Sequence, residues 1–204
     1  MLNATHLFEQ PARYRHNSES WWSAFFSMLL LYRTKTEPSF SLSIYTYTTA
    51  VGYRRVGQLV PRTFSFATMS VEAPLSAMAF GLATWPVEFL GLKPDLSVVE
   101  PERRHALFIE TKTIGSSVAQ NVALYDQVCA HLRQSGWDVD LCYLLSHGHE
   151  ARRDWPLIEQ HALRIVLWED VLRAVINTPL ARVFDVDLAA YASRPVEPVD
   201  DGTI

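Results

Sequence analysis

From Trp21 to Tyr32 the chain is apolar almost without interruption, and Glu19, Ser23 and Ser27 recur every fourth residue. That spacing predicts a helix with one narrow polar stripe, packed on most of its other sides. Asn17 suits its N-cap, and Glu19 falls in the first turn, where the helix dipole favours an anion. Phe40, Leu42 and Ile44 alternate with serines, and Thr63, Ser65 and Ala67 alternate with Phe64 and Phe66, which predicts two half-buried strands between Ser39 and Val71. Gly52 and Pro61 punctuate the connection between them, and residues 74–83 form a candidate short helix interrupted by Gly81.

The pattern is sharper in the second half. Short apolar strands over Asp95 to Val99 and His105 to Thr113 flank a charged turn, Glu100-Pro101-Glu102-Arg103-Arg104, and read as a hairpin. A helix capped by Ser116 or Ser117 runs to about Gln134, followed by a strand over Asp138 to Leu145, a helix over Trp155 to Ala162, a strand over Arg164 to Trp168 and a helix over Asp170 to Ile176. Strands alternating with helices predict an α/β fold, a mixed central β-sheet flanked by helices on both faces. With 204 residues, about half of them apolar, the chain is expected to form a single domain, with a loose lead (1–16) and tail (193–204).

Composition narrows the partners. A formal charge of −4 argues against a general nucleic-acid coat but not against a nuclease, whose acidic pocket is offset by divalent metal. Lysine occurs only at 35, 93 and 112, whereas arginine recurs in pairs, Arg54/Arg55, Arg103/Arg104 and Arg152/Arg153, suited to bidentate phosphate contacts. Cys129 and Cys142 lie in apolar periodic stretches, where reduced and buried thiols are expected. Without a signal-peptide h-region or an apolar run long enough to span a bilayer, the expectation is a cytoplasmic protein with no membrane contact.

Chemistry concentrates in the hairpin. Asp95 stands at the start of its first strand and Glu110 toward the end of its second, so antiparallel pairing brings them to the same end of the sheet. Glu110 and Lys112, two apart, point to the same face. Carboxylates so placed suit Mg²⁺ or Mn²⁺, which take a few carboxylate oxygens and leave other positions to water and phosphate. Such an ion makes hydroxide available near neutral pH, and a neighbouring lysine can position the attacking water or offset developing charge.

Pro94-Asp95 followed by Glu110-Thr111-Lys112 resembles the PD-(D/E)xK nuclease superfamily, with its restriction-endonuclease-like fold. The resemblance implies that Asp95, Glu110 and the Thr111 carbonyl bind Mg²⁺ or Mn²⁺, that Lys112 is the catalytic lysine, and that Glu19 supplies the helix glutamate many members add. Glu88 and Glu100 are alternatives for that last role. It further implies a metal-dependent DNA endonuclease, possible as a homodimer, with the arginine pairs and Gln120 as substrate contacts. One departure is the spacing of Gln120 and Tyr125, five apart where some exonuclease-like members have glutamine and tyrosine four apart. The competing expectation is a catalytically silent member of the same fold that serves as a nucleic-acid-binding or assembly module. His147-Gly-His149-Glu150 reads as a polar turn rather than a metal site, and Trp21, Trp22, Phe25 and Phe26 as core rather than a base-stacking platform.

Overall fold

The architecture follows from which segments can bury two faces and which only one. In the computed structural model, which describes residues 19–37, 40–59, 68–112, 117–119, 121–145, 154–175 and 178–179, the apolar run near the N-terminus is helix α1 (Glu19–Thr36). Then come β1 (Leu42–Thr48), β2 (Gly52–Leu59), β3 (Met69–Val71), β4 (Leu96–Glu100) and β5 (His105–Thr111). Helix α2 (Val122–Gln134), β6 (Asp138–Leu145), α3 (Trp155–Gln160), β7 (Arg164–Leu167) and α4 (Trp168–Val175) complete the described elements.

The seven strands form one mixed sheet in the order β2-β1-β7-β6-β5-β4-β3. β5, β6 and β7 run parallel, joined through α2 and α3, and the remaining neighbours are antiparallel. The central strands β5 and β6 are apolar on both sides because both faces are covered. On one face Phe25, Phe26, Leu29 and Leu30 of α1 and Val171 and Leu172 of α4 pack over Leu96, Leu107, Ile109 and Leu144. On the other, Val122, Tyr125, Val128 and Leu132 of α2 pack over Ala106, Phe108, Val139 and Tyr143. The predicted α/β class, a mixed sheet flanked by helices, is the observed one. No helix among the described residues is long and apolar enough to cross a membrane.

Several boundaries moved. α1 continues four residues past Tyr32, and α2 starts at Val122 after Asn121, whose φ is +72°. The expected helix over 74–83 is only a 3-10 turn at Leu75–Ala77, because Pro74 lies outside the turn and Gly81 breaks the segment at a φ of +65°. β2 was not expected at all. Among the described strands it pairs only with β1, leaves Arg54, Arg55 and Val56 exposed, and so lacks the apolar alternation that marks a covered strand. The strand expected over 63–67, the Asn17 and Ser116 caps, Gln120, Arg152, Arg153, His147, His149, Glu150, and the lead and tail lie outside the described residues. Both cysteines are free and buried.

Candidate active site

The hairpin register positions the acidic pair. Leu96 pairs with Ile109 and Val98 with Leu107, so extending the antiparallel register by one residue sets Asp95 opposite Glu110. Because Leu96 and Ile109 face α1, alternation turns Asp95 and Glu110 toward the α2 side. The Asp95 N–H donates to Glu110 Oε1 over 3.4 Å, and the Thr111 N–H donates to Asp95 Oδ2 over 2.7 Å, which fixes the aspartate's orientation. The Tyr125 hydroxyl, rising from the buried stripe of α2, donates to Glu110 Oε1.

Lys112 follows directly. Its ammonium lies 3.6 Å from Glu110 Oε2 and 3.6 Å from Glu19 Oε2, ion-pair contacts longer than a hydrogen bond. Lys112 is only 7% exposed and Glu110 only 5%, so charges that would ordinarily sit in water are held inside the fold. Glu19 also projects its field onto Asp95, as does Glu72, a residue past the end of β3. One row of the sheet thus carries Glu72, Asp95 and Glu110 on three adjacent strand ends, with Glu19 above and Lys112 among them.

Burial sets the electrostatics of this group. Desolvation raises the Asp95 carboxyl to about 6, against the opposing hydrogen bond from Thr111 and the charge of Lys112, with Glu19 and Glu72 adding to the rise. Glu110 is raised to about 7, first by desolvation and then by Asp95, while Tyr125 and Lys112 pull it down. Two facing buried carboxylates with a single nearby lysine are therefore short of positive charge. The Oε1 atom of Glu19 is buried with no hydrogen-bond partner among the described residues.

No family model, no curated protein and no solved structure matches this chain.

The donor set suits a hard divalent cation. Among the described residues Asp95 and Glu110 offer carboxylate oxygens, and the positive charge is in deficit. Among the described residues no three His, Cys, Asp or Glu side chains converge tightly enough to hold a metal by themselves. An ion bound here would therefore keep coordination positions for water and substrate, as Mg²⁺ does.

Asp95, Glu110, Thr111, Lys112 and Glu19 are thus brought together, and the two arginine pairs among the described residues are not. Arg54 and Arg55 lie on the edge strand β2, four strand spacings or roughly 19 Å from β5. Arg103 and Arg104 lie in the hairpin turn, about 17 Å along β4 from Asp95. There Arg103 pairs with Glu100 at 3.6 Å, and the Arg104 carbonyl accepts from the Asp138 N–H. Glu100 pairs with His105 at that same far end, and Glu88 is exposed on a 3-10 turn, so Glu19 is the alternative that reaches the cluster. A groove of about 830 Å³ lined by Glu100, Arg103, His105, Asp140 and Arg164 also belongs to the far end and includes none of the acidic cluster.

Two contacts of the site went beyond sequence reasoning. The sequence singles out Tyr125 only for its five-residue spacing from Gln120 and does not reveal its bond to Glu110, although a tyrosine hydroxyl in a core stripe needs a partner. Glu72 had no signal, since a three-residue strand carries too little pattern to reveal what lies beside its end.

Proposed function

We propose that this protein is a metal-dependent nuclease of the PD-(D/E)xK type that hydrolyses phosphodiester bonds in DNA as an endonuclease. The observation that carries the reading is the apposition of Asp95 and Glu110 across the hairpin, with the Lys112 ammonium 3.6 Å from Glu110. It gains support from the order of elements, a helix bearing Glu19 ahead of the hairpin and a helix followed by a parallel strand behind it, as a restriction-endonuclease-like fold requires.

Asp95, Glu110 and the Thr111 carbonyl would hold Mg²⁺ or Mn²⁺. A bound divalent cation would supply a lowered water pKa and offset the charge of the reacting phosphate. The protein's own part is placement. Thr111 holds the Asp95 carboxylate from one side, and Tyr125 holds Glu110 from the other. Lys112 presents its ammonium between Glu19 and Glu110, where it can donate to the attacking water or to a phosphate oxygen as negative charge develops. Burial excludes bulk water from that ammonium, which strengthens each such contact.

The test is cleavage of supercoiled plasmid, linear duplex and single strands with Mn²⁺, beside Asp95→Ala and Lys112→Ala. Both substitutions should lower the rate by at least ~100-fold, the scale on which a proton-transfer or charge-stabilising group acts. Cleavage that survives both would refute the assignment. A wild-type protein that binds duplex without cutting it would favour the silent binding module.

A further inference from the structure

Glu72 stands one residue beyond the pairing of Val71 with Leu96, and its N–H donates to the Asp95 carbonyl over 3.1 Å. Its φ is +49°, a left-handed conformation that glycine adopts freely and a residue with a Cβ adopts only at a cost. Met69 and Val71 pack toward α1, so a regular continuation of β3 would turn residue 72 to the opposite face. The left-handed step instead brings the Glu72 carboxylate back to α1, where the Ser20 hydroxyl donates to Oε1 over 2.5 Å.

Among the described residues, Ser20 is one of three by which the start of α1 is tied to the site. Ser23 bonds Thr111 Oγ1 at 3.0 Å, and Glu19 reaches Lys112 at 3.6 Å. The first turn of a helix lacks the intrahelical N–H bonds that hold later turns, so side-chain contacts decide where it sits. Of the three, the Ser20 contact alone reaches the edge strand, and it does so next to the glutamate that faces Lys112.

We propose that Glu72 is a positioning residue: through Ser20 it docks the first turn of α1 onto the end of β3 and so places Glu19 beside Lys112 and Asp95. This rests on the reading of the cluster as a metal-dependent hydrolytic site. Glu72 then holds the helix as a hydrogen-bond acceptor, a role that does not need its negative charge. Glutamine should replace it. Glycine should not, although glycine suits the left-handed backbone better and the strand end should fold at least as well with it.

The experiment compares wild type with Glu72→Gln, Glu72→Gly and Ser20→Ala. It reads Mn²⁺ affinity by titration calorimetry, and amide hydrogen exchange of residues 19–23 without metal. Glu72→Gly and Ser20→Ala should each weaken Mn²⁺ binding about 10-fold, the scale on which partners of metal ligands act, and speed exchange of the first turn. Glu72→Gln should stay within about twofold in both. In a Glu19→Gln background, Glu72→Gly should bring no further loss of affinity. The proposal is overturned if glutamine falls as far as glycine, which would make the charge itself the active property, or if glycine leaves exchange unchanged. A wild type that binds no Mn²⁺ would sink the nuclease reading, while exchange would still decide whether Glu72 holds the helix.

Discussion

Asp95 and Glu110 are ionised in water at neutral pH, but inside the hairpin burial raises both, to about 6 and about 7. The folded chain thus binds their protons more tightly than the unfolded chain does. Stability from this source is fully present below about pH 4 and is lost as pH rises through about 6 to 7. Asp95→Asn keeps an oxygen to accept the Thr111 N–H and removes the charge. In metal-free buffer it should raise unfolding free energy at pH 8 by up to about 3 kcal/mol, since the carboxyl rises from 3.8 to about 6 and each pKa unit is worth about 1.4, and change little at pH 4. Urea denaturation at the two pH values checks this. A variant less stable than wild type at pH 8 would contradict the raised carboxyl. Asp95, Glu110 and Lys112 were legible as a unit in the sequence because strand alternation and hairpin pairing are local rules. Glu72 was not, because its role depends on a helix more than fifty residues away in the chain.

At the scale of elements, the site depends on how α1 and α2 are fastened to the two faces of the sheet. Asp154, at the entry to α3, is 4% exposed, and its carboxylate accepts from Ser117 Oγ at 3.0 Å and from the Val118 N–H at 2.9 Å. It thereby anchors residues leading into α2, the helix that brings Tyr125 to Glu110. Asp154→Ala should leave the buried Val118 donor unsatisfied and cost about 1–3 kcal/mol in urea denaturation. Asp154→Asn, which retains an acceptor, should recover part of that loss. The helices and the central strands were readable from periodicity. The edge strand β2 was not, because an exposed strand has no apolar face to reveal it.

For the whole molecule, the proposed metal site would link cation binding to folding, because the cluster is short of positive charge. If Asp95 and Glu110 hold a divalent cation only in the folded chain, Mn²⁺ at 100 times its Kd should add about 2.7 kcal/mol to stability. Calorimetric scans at pH 8 should show wild type gaining several degrees in Tm with Mn²⁺, and the Asp95→Asn, Glu110→Gln double variant gaining none. An equal rise in both would place the ion elsewhere. The sheet order bears on substrate contact as well. It sends Arg54 and Arg55 to one edge and Arg103 and Arg104 to the far end of the hairpin, so these two arginine pairs do not form a basic rim around the acidic cluster.

The sequence by itself determined the helices, the central strands and the hairpin that sets Asp95 opposite Glu110, because each rests on periodicity or on pairing between neighbours in the chain. Only the tertiary structure decided that Glu19 faces Lys112, that Tyr125 holds Glu110 and that Glu72 reaches Ser20. Those contacts join separate elements, and their geometry comes from how helices pack on a sheet, which no local spacing of residues encodes.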